Sequence, residues 1–220
     1  MRADLATRPP FQIPVMDIER VGSQRVGSQA ARRHPGWPTP RHGPARGSGG
    51  AVEPAHLSEI LAIWRLSLIC FPDDSLPYAI LAHYLTNRDS SILVVRQGPS
   101  VAGFGTLWMT RDGGCSLGVI VSLGVDPVHR RRGIGRRLLR EAYRWCQQAG
   151  AERLQLKVAQ DNAVALTLFC SEGYRMVGRL PHYYGVGRHA LRMERSAQPE
   201  GSAVDSLKPG PASAMISDIR

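Results

Sequence analysis

Apolar residues recur in two rhythms along the middle of the chain, and the switches between them mark the elements. From His56 to Phe71 the large side chains Leu57, Ile60, Leu61, Trp64, Leu68 and Phe71 fall three or four residues apart, with Ser58 and Glu59 near the start. That is the spacing of one helix face. Pro72-Asp73-Asp74 stops this helix, and a second apolar helix is expected over residues 76–85. The runs then shorten to strand length. Residues 91–96 (SILVVR), 101–109 (VAGFGTLWM) and 116–125 read as three strands, separated by Gln97-Gly-Pro-Ser100 and Arg111-Asp-Gly-Gly114.

The helical period returns at Ile134, Leu138, Leu139, Ala142, Trp145, Cys146 and Ala149. Arg136, Arg137, Arg140 and Arg144 fall on the other side, and Gly150 is placed to end the helix. Leu154, Leu156 and Val158 then alternate with Arg153, Gln155 and Lys157, a strand with two unlike faces. Asp161-Asn162 caps a short helix over 163–172 that Gly173 terminates. Residues 174–180 and 188–195 are expected as two last strands, joined by Pro181-His-Tyr-Tyr-Gly-Val-Gly187. The order α-α-β-β-β-α-β-α-β-β predicts an α/β (α+β) domain with a mixed sheet and helices on both faces, spanning 51–196.

Composition sets the two ends apart. Of the formal net charge of +10, residues 1–50 carry +5 and residues 197–220 carry −1, so the central domain is itself basic. Residues 1–50 are rich in Pro, Gly and Arg and contain Arg20-Val-Gly-Ser-Gln24 repeated at once as Arg25-Val-Gly-Ser-Gln29. Too few large apolar side chains are present there to offset the ordering entropy, so a disordered basic tail is expected, with a flexible tail after 196. The basic balance suits an anionic partner: a nucleotide, or weak nucleic-acid or ribosome contact through the tail. Cys70, Cys115, Cys146 and Cys170 are scattered without zinc spacing and read as small buried residues in a reducing cytosol. No metal, no signal peptide and no membrane span are expected, so the chain reads as cytoplasmic, a monomer or dimer.

The chemistry is concentrated in Val121–Gly150, where a β-branched run ends at Asp126-Pro127, a loop Arg130-Arg-Arg-Gly133-Ile-Gly135 follows, and an amphipathic helix opens from it. Bare amides at a helix N-terminus, surrounded by cations, hold phosphate. The loop is not GxxxxGK[ST], and GxGxxG would need glycine where Leu138 stands. A solvated basic turn remains the alternative for the loop taken alone.

Val125-Asp-Pro-x-x-Arg130-x-x-Gly133-x-Gly135-x-x-Leu138-Leu139, followed by Asn162-x-x-Ala165-x-x-Leu168-Phe169-x-x-x-Gly173-Tyr174, resembles the GNAT superfamily of N-acetyltransferases. Trp64 with Cys70-Phe71-Pro72, the pair Tyr183-Tyr184, and Ala190-Leu-Arg-Met193 make it most similar to protein N-terminal acetyltransferases of the ribosomal-protein-alanine (RimI) and NatA type. The resemblance covers about 51–196 and implies acetyl-CoA as co-substrate. It implies that Leu123-Gly124-Val125 lie on a strand splayed from its neighbour, pairing with the pantetheine arm. Arg130, and the amides of Arg131, Arg132, Gly133, Ile134, Gly135 and Arg136, would hold the pyrophosphate. Asn162 would reach the pantetheine region or serve as a plain N-cap.

Such enzymes join an amine directly to the thioester carbonyl, which requires a neutral amine and a proton source for the thiolate. Where relatives often carry Glu or His as base this chain has Lys157, and where they carry Tyr as acid it has Phe169. Tyr183, Tyr184, His182 or backbone-held water are the remaining proton carriers; otherwise the chemistry needs little help, or the chain only binds acyl-CoA. An α-amine of pKa about 7.7–8.0 is about a tenth neutral at pH 7, against about one in 2,000 for a lysine near 10.4, so a missing base favours an α-amine. The substrate candidates are Phe71, Pro72 and Asp73, with Asp74 beside them, and Tyr183 and Tyr184. Cys170, next to Phe169, reads as a buried helical cysteine. The expected function is acetyl transfer to the N-terminal α-amine of a protein or peptide. The alternatives are a small-molecule amine acceptor, or a catalytically weak acyl-CoA-binding, nucleic-acid-associated module.

Overall fold

A computed structural model of the chain describes residues 50–112 and 114–197. The tandem repeat, most of the basic tail and the C-terminal tail lie outside the described residues. Seven strands form one sheet in the order β1-β2-β3-β4-β5-β7-β6: β1 Val52–Pro54, β2 Ser90–Gln97, β3 Ser100–Asp112, β4 Cys115–Val125, β5 Arg153–Ala159, β6 Arg175–Leu180 and β7 Ala190–Ser196. Only β4 and β5 run parallel; every other neighbouring pair is antiparallel. Among the described residues four α-helices cover the faces: α1 Ile60–Cys70, α2 Tyr78–Thr86, α3 Ile134–Gln148 and α4 Ala163–Ser171. Among the described residues no helix is long and apolar enough to cross a membrane.

Two cores lie on opposite sides of the sheet. On one, Ile134, Leu138, Leu139, Ala142, Trp145 and Cys146 of α3 pack with Phe169 of α4 onto Leu93, Leu107, Ile120, Leu154, Leu156 and Val158. On the other, Ile60, Ile63 and Leu66 of α1 and Leu81 of α2 close over Ile92, Val94 and Phe104. Each fully buried aliphatic side chain contributes roughly 1.5–3 kcal/mol. The α3 stripe follows the sequence period, which is why the helix lies with its arginines outward.

The elements depart from expectation where local chemistry overrides periodicity. β1 was not anticipated, because three residues ending in proline are too short to show alternation; it pairs with Leu93–Val95. The first helix begins as a 3-10 turn, Leu57–Glu59, where the His56 N–H donates to Glu59 Oε2 at 2.7 Å. α2 starts two residues late because Pro77, at its N-cap, disfavours a helical conformation at Leu76. β7 starts at Ala190 and not at Arg188, since the Arg188 N–H donates to Gly185 O and stays in the loop. Ala197 is buried and hydrogen-bonded through both backbone groups, to Glu152 O and from Gln147 Nε2, so order continues past Ser196. Of the four free cysteines only Cys146 is buried; Cys70 and Cys115 are half-buried, and Cys170 is exposed on α4, contrary to the sequence reading.

One irregularity positions everything functional. β4 pairs with β5 only from Leu117–Ile120 against Arg153–Leu156, although β4 runs to Val125 and β5 to Ala159. On its other side β4 stays paired with β3 to the end, but Thr106 faces Ser122 and Leu107 faces Ile120, leaving Val121 as an extra residue. A bulge of this kind bends and twists its strand. From Val121 onward β4 follows β3 and separates from β5, opening a V between Val121–Val125 and Lys157–Ala159.

Candidate functional site

The floor of the V ends in the arginine-glycine loop. Asp126 Oδ1 accepts from the Val128 N–H at 3.0 Å, capping a 3-10 turn at Pro127–His129. Arg130 Nε donates back to Val125 O at 3.1 Å, and Cys70 Sγ lies 3.5 Å from the same oxygen. Burial pushes the Cys70 thiol up, with Arg130 opposing. Arg131 takes a left-handed φ of 60°, and Gly133, at φ 75°, is the N-cap of α3. The first α3 bond runs from Arg137 N to Gly133 O at 3.1 Å, and no side chain caps the helix. The amides of Ile134, Gly135 and Arg136 therefore open α3 without an intrahelical partner, an arrangement that suits an anion.

Gly135 lies where these open amides begin. A Cβ there would meet Leu168 Cδ2 at 3.5 Å, Val125 Cγ2 at 3.7 Å and Leu123 Cδ2 at 3.8 Å, all ordinary contacts. The chain's own packing does not demand glycine, and glycine in a helix costs about 1 kcal/mol against alanine. Without a side chain there, the amides are open to close approach. The same three contacts show that Gly135, the end of β4 and α4 converge on one point. Acetyl-CoA fits this cradle: bare amides for a pyrophosphate and an open β4 backbone for an amide-bearing arm.

The cations divide into two groups. Arg131 and Arg132 are exposed and form no ion pair among the described residues. Arg136 reaches Ser171 Oγ at 3.1 Å and Glu172 Oε1 at 3.2 Å, and Arg140 grips both Glu172 oxygens at 2.9 and 3.0 Å. The hydrogen-bonded Arg140 guanidinium holds the buried Glu172 carboxyl below its usual range, against the opposing effect of burial. Arg136 thus ties α3 to α4 through its side chain, and only its amide is left for the cradle. Asn162 is the N-cap of α4: its Oδ1 accepts from Ala165 N at 3.1 Å, and its Nδ2 remains a donor.

Where the V opens, Lys157 is the first β5 residue beyond the β4 pairing. Its Nζ donates to Tyr183 Oη at 3.2 Å and lies 4.5 Å from that ring's centroid. Tyr184 Oη sits 3.5 Å from Lys157 O, and the two tyrosine rings stack edge-on at 4.8 Å. Burial pushes the Tyr183 hydroxyl up to about 12 and that of Tyr184 up as well. Both phenols keep their protons at neutral pH. Phe169 lies in the core with its ring 6.0 Å from that of Tyr174 and offers no proton. The Tyr174 hydroxyl is buried without a partner, raised by burial, with Cys146, Arg195, Tyr143 and Glu172 as its electrostatic neighbours; it belongs to the α3–α4 packing.

The acceptor-side residues are brought together by one ion pair. Phe71 packs edge-on against Phe104 at 6.4 Å, while Pro72 and Asp73 are exposed at the α1–α2 corner. Asp74, and not Asp73, makes the reach: it pairs with Arg188 of the β6–β7 loop. Arg188 also donates to Tyr184 O at 2.9 Å and lies over its ring at 5.7 Å. His182 does not face Lys157. Its Nδ1 accepts from the Gly187 N–H at 2.9 Å, while its own N–H donates to His189 Nδ1 at 3.0 Å, so the two imidazoles hold the loop. Arg188 and His189 carry no local signal by which the sequence could have named them.

A family model described as "Acetyltransferase (GNAT) family" matches residues 57–174. N-alpha-acetyltransferase RimI of Mycobacterium tuberculosis is 32% identical over 126 residues, covering 57% of this chain and 78% of that protein. An uncharacterized protein of Mycobacterium leprae, ML0378, is 41% identical over 78 residues, 35% of this chain; the chain spans only 21% of its length. The crystal structure of the ribosomal-protein-S18-alanine N-acetyltransferase from Escherichia coli superposes with a TM-score of 0.62 at 19% identity, over 71% of this chain and 99% of that one. With the splayed strands, the uncapped helix and the glycine cradle in the matched region, the chain belongs to the GNAT family of acetyltransferases, which use acetyl-CoA as co-substrate.

Proposed function

We propose that this acetyltransferase acts on the N-terminal α-amine of a protein or peptide. The observation that carries the proposal is the composition of the V mouth: two protonated phenols and one lysine, with no carboxylate or free imidazole at the usual base position. A site without a base can only use an acceptor that is already partly neutral, and an α-amine is, whereas a lysine side chain is not. The Lys157 ammonium lowers the acceptor's pKa further. RimI of M. tuberculosis, named an N-alpha-acetyltransferase, adds support.

The bound cofactor supplies an activated acetyl thioester. The amides of Arg131, Arg132, Gly133, Ile134, Gly135 and Arg136, with Arg130, hold its phosphates at the α3 N-terminus. Leu123, Gly124 and Val125 offer backbone to its arm, and Asn162 Nδ2 adds a donor. Tyr183 and Tyr184 act as hydrogen-bond donors and not as bases. Lys157 Nζ donates to the Tyr183 oxygen at 3.2 Å, which leaves the phenol's own proton to be donated elsewhere. A thiolate of pKa about 8.5 needs only weak acid assistance: the phenols donate hydrogen bonds, and the proton that the amine loses as its N–C bond forms is the one the departing thiolate takes up. Phe71, Pro72 and Asp73 at the corner, with the two tyrosines opposite, flank the acceptor. The test compares a peptide with a free N-terminus against the same peptide blocked at its N-terminus and carrying an internal lysine. Acetylation of the first alone is expected; equal rates would sink the proposal.

A further inference from the structure

We infer that Ser122, backed by Thr106, is a further catalytic residue of the transfer: its hydroxyl oxygen accepts an N–H from the acceptor amine and leaves the nitrogen lone pair to attack. The inference rests on the reading of the V mouth as the acceptor side and deepens it by naming what holds the amine.

Face alternation slips by one at the β4 bulge. Ile120 lies in the core under α3, and Leu123, three residues on, packs against the same core. In a regular strand, residues three apart face opposite ways. The extra residue at Val121 therefore turns Ser122 and Gly124 to the other face, where a Cβ on Gly124 would meet Phe104 of β3 and Cys70 of α1. Lys157 faces the same way, because Leu156 and Val158 on either side of it lie in the α3 core. The last residues to pair between the two strands are Ile120 and Leu156. Ser122 and Lys157 thus stand just beyond the fork, one on each arm, with Tyr183 bonded to Lys157.

Ser122 is the register partner of Thr106 on β3, and its Oγ donates to Thr106 Oγ1 at 3.0 Å. Thr106 is fully buried, whereas Ser122 is half-buried. A hydroxyl offers one donor and two acceptor lone pairs. With its proton committed to Thr106, the Ser122 oxygen keeps its lone pairs for a donor, and among the described residues none takes them. A neutral primary amine carries two N–H groups and one lone pair, and only the lone pair forms the new bond. An oxygen that accepts orients such a nitrogen for attack, whereas one that donates would occupy the lone pair. The hydroxyl pair does not carry the proton away, because Thr106 is sealed from solvent. As the N–C bond forms and the C–S bond breaks, the amine proton goes to the departing thiolate. Thr106 is a positioning residue that acts through Ser122 alone.

The experiment uses the full chain, acetyl-CoA and a peptide that the chain acetylates. Ser122→Ala is expected to lower kcat/KM about tenfold, the upper end for a neutral hydrogen bond. Calorimetric CoA affinity and the shape of the pH profile should not change, since no net proton passes through the serine. Thr106→Val should cost about threefold in the wild-type background and nothing in Ser122→Ala, while Thr106→Ser keeps most of the rate. Replacing both hydroxyls by apolar groups is nearly neutral for a fold, so the double variant stays measurable. Peptide affinity in the presence of CoA gives a readout without turnover. There Ser122→Ala should weaken a free-amine peptide a few-fold and leave its desamino analogue unchanged. Full activity in Ser122→Ala, a Thr106→Val loss that persists without Ser122, or equal weakening of the desamino peptide would overturn the inference. The α-amine reading fails separately: if the lysine peptide is the one acetylated, that reading falls, and a Ser122→Ala loss on the lysine peptide still upholds this one.

Discussion

The two sides of the V are made from different materials. The cofactor side is backbone: a bulged strand, a left-handed loop and the open amides of one helix, arranged by residues within a single stretch from Val121 to Arg137. The proposed acceptor side is side chain: Tyr183, Tyr184 and Lys157, with a loop tethered to the α1–α2 corner by Asp74–Arg188 across 114 residues of sequence. The first is rigid by virtue of the sheet and core beneath it. The second holds its shape by a few exposed polar contacts, each worth little alone.

Breaking the cofactor side should give the largest effect. Gly135→Glu places bulk and negative charge in the phosphate cradle, and calorimetric CoA binding is expected to weaken at least about 100-fold, or ~2.7 kcal/mol, with the fold retained by circular dichroism. If CoA binding survives, the backbone account of that side is wrong. Next in size, Tyr184→Phe and Tyr183→Phe should lower kcat about 10- to 100-fold while CoA affinity holds, the separation expected if the phenols serve only the acceptor side. Arg188→Ala should raise the peptide KM a few-fold and move Tm little, since an exposed ion pair contributes about 0–1 kcal/mol. A fall in CoA affinity in that variant would dissolve the division between the two sides.

The smallest effect is a pH dependence confined to the acceptor side. His182 and His189 both accept backbone N–H bonds through Nδ1, and protonation of His189 turns its acceptor into a donor facing the His182 N–H. Burial first, then Arg179 and His182, lower the His189 pKa. The unfolded chain therefore takes up this proton more readily than the folded one. The contribution of the loop bond is full above the ordinary histidine range and lost as pH falls through the lowered value. Peptide KM should rise in that acid window while CoA affinity stays flat. His189→Asn, whose Oδ1 accepts regardless of pH, should flatten the rise in a steady-state pH profile.

How much the sequence disclosed follows the same division. Backbone sites need residues with special conformations, and these are visible: Gly133 for its left-handed turn, Gly135 for close approach, Asn162 for a cap. The α3 stripe predicted its buried face, and the strand order came from punctuation by turns. The bulge at Val121 left no trace, because valine there is ordinary strand material and only the register reveals it. Nor did the sequence separate Asp73 from Asp74 or show that His182 faces its own loop, since both depend on contacts between distant segments. Cys170 was misjudged because α4 is apolar on more than its buried side: Val164 is 80% exposed.

The extra residue at Val121 has a consequence for how the sheet meets other molecules. It creates an edge strand in the interior of a seven-stranded sheet, with unpaired peptide groups on β4 facing unpaired peptide groups on β5. Edge strands at a periphery invite strand addition from other chains and have to be guarded with charge, proline or brevity. This one is guarded by its position at the bottom of a narrowing wedge, beneath the Tyr183–Tyr184 loop and beside the N-terminus of α3. A thin, extended molecule with amides along its length can add there as a strand. Val121 thereby converts what is usually an aggregation hazard into an opening with the hydrogen-bonding pattern of a missing strand.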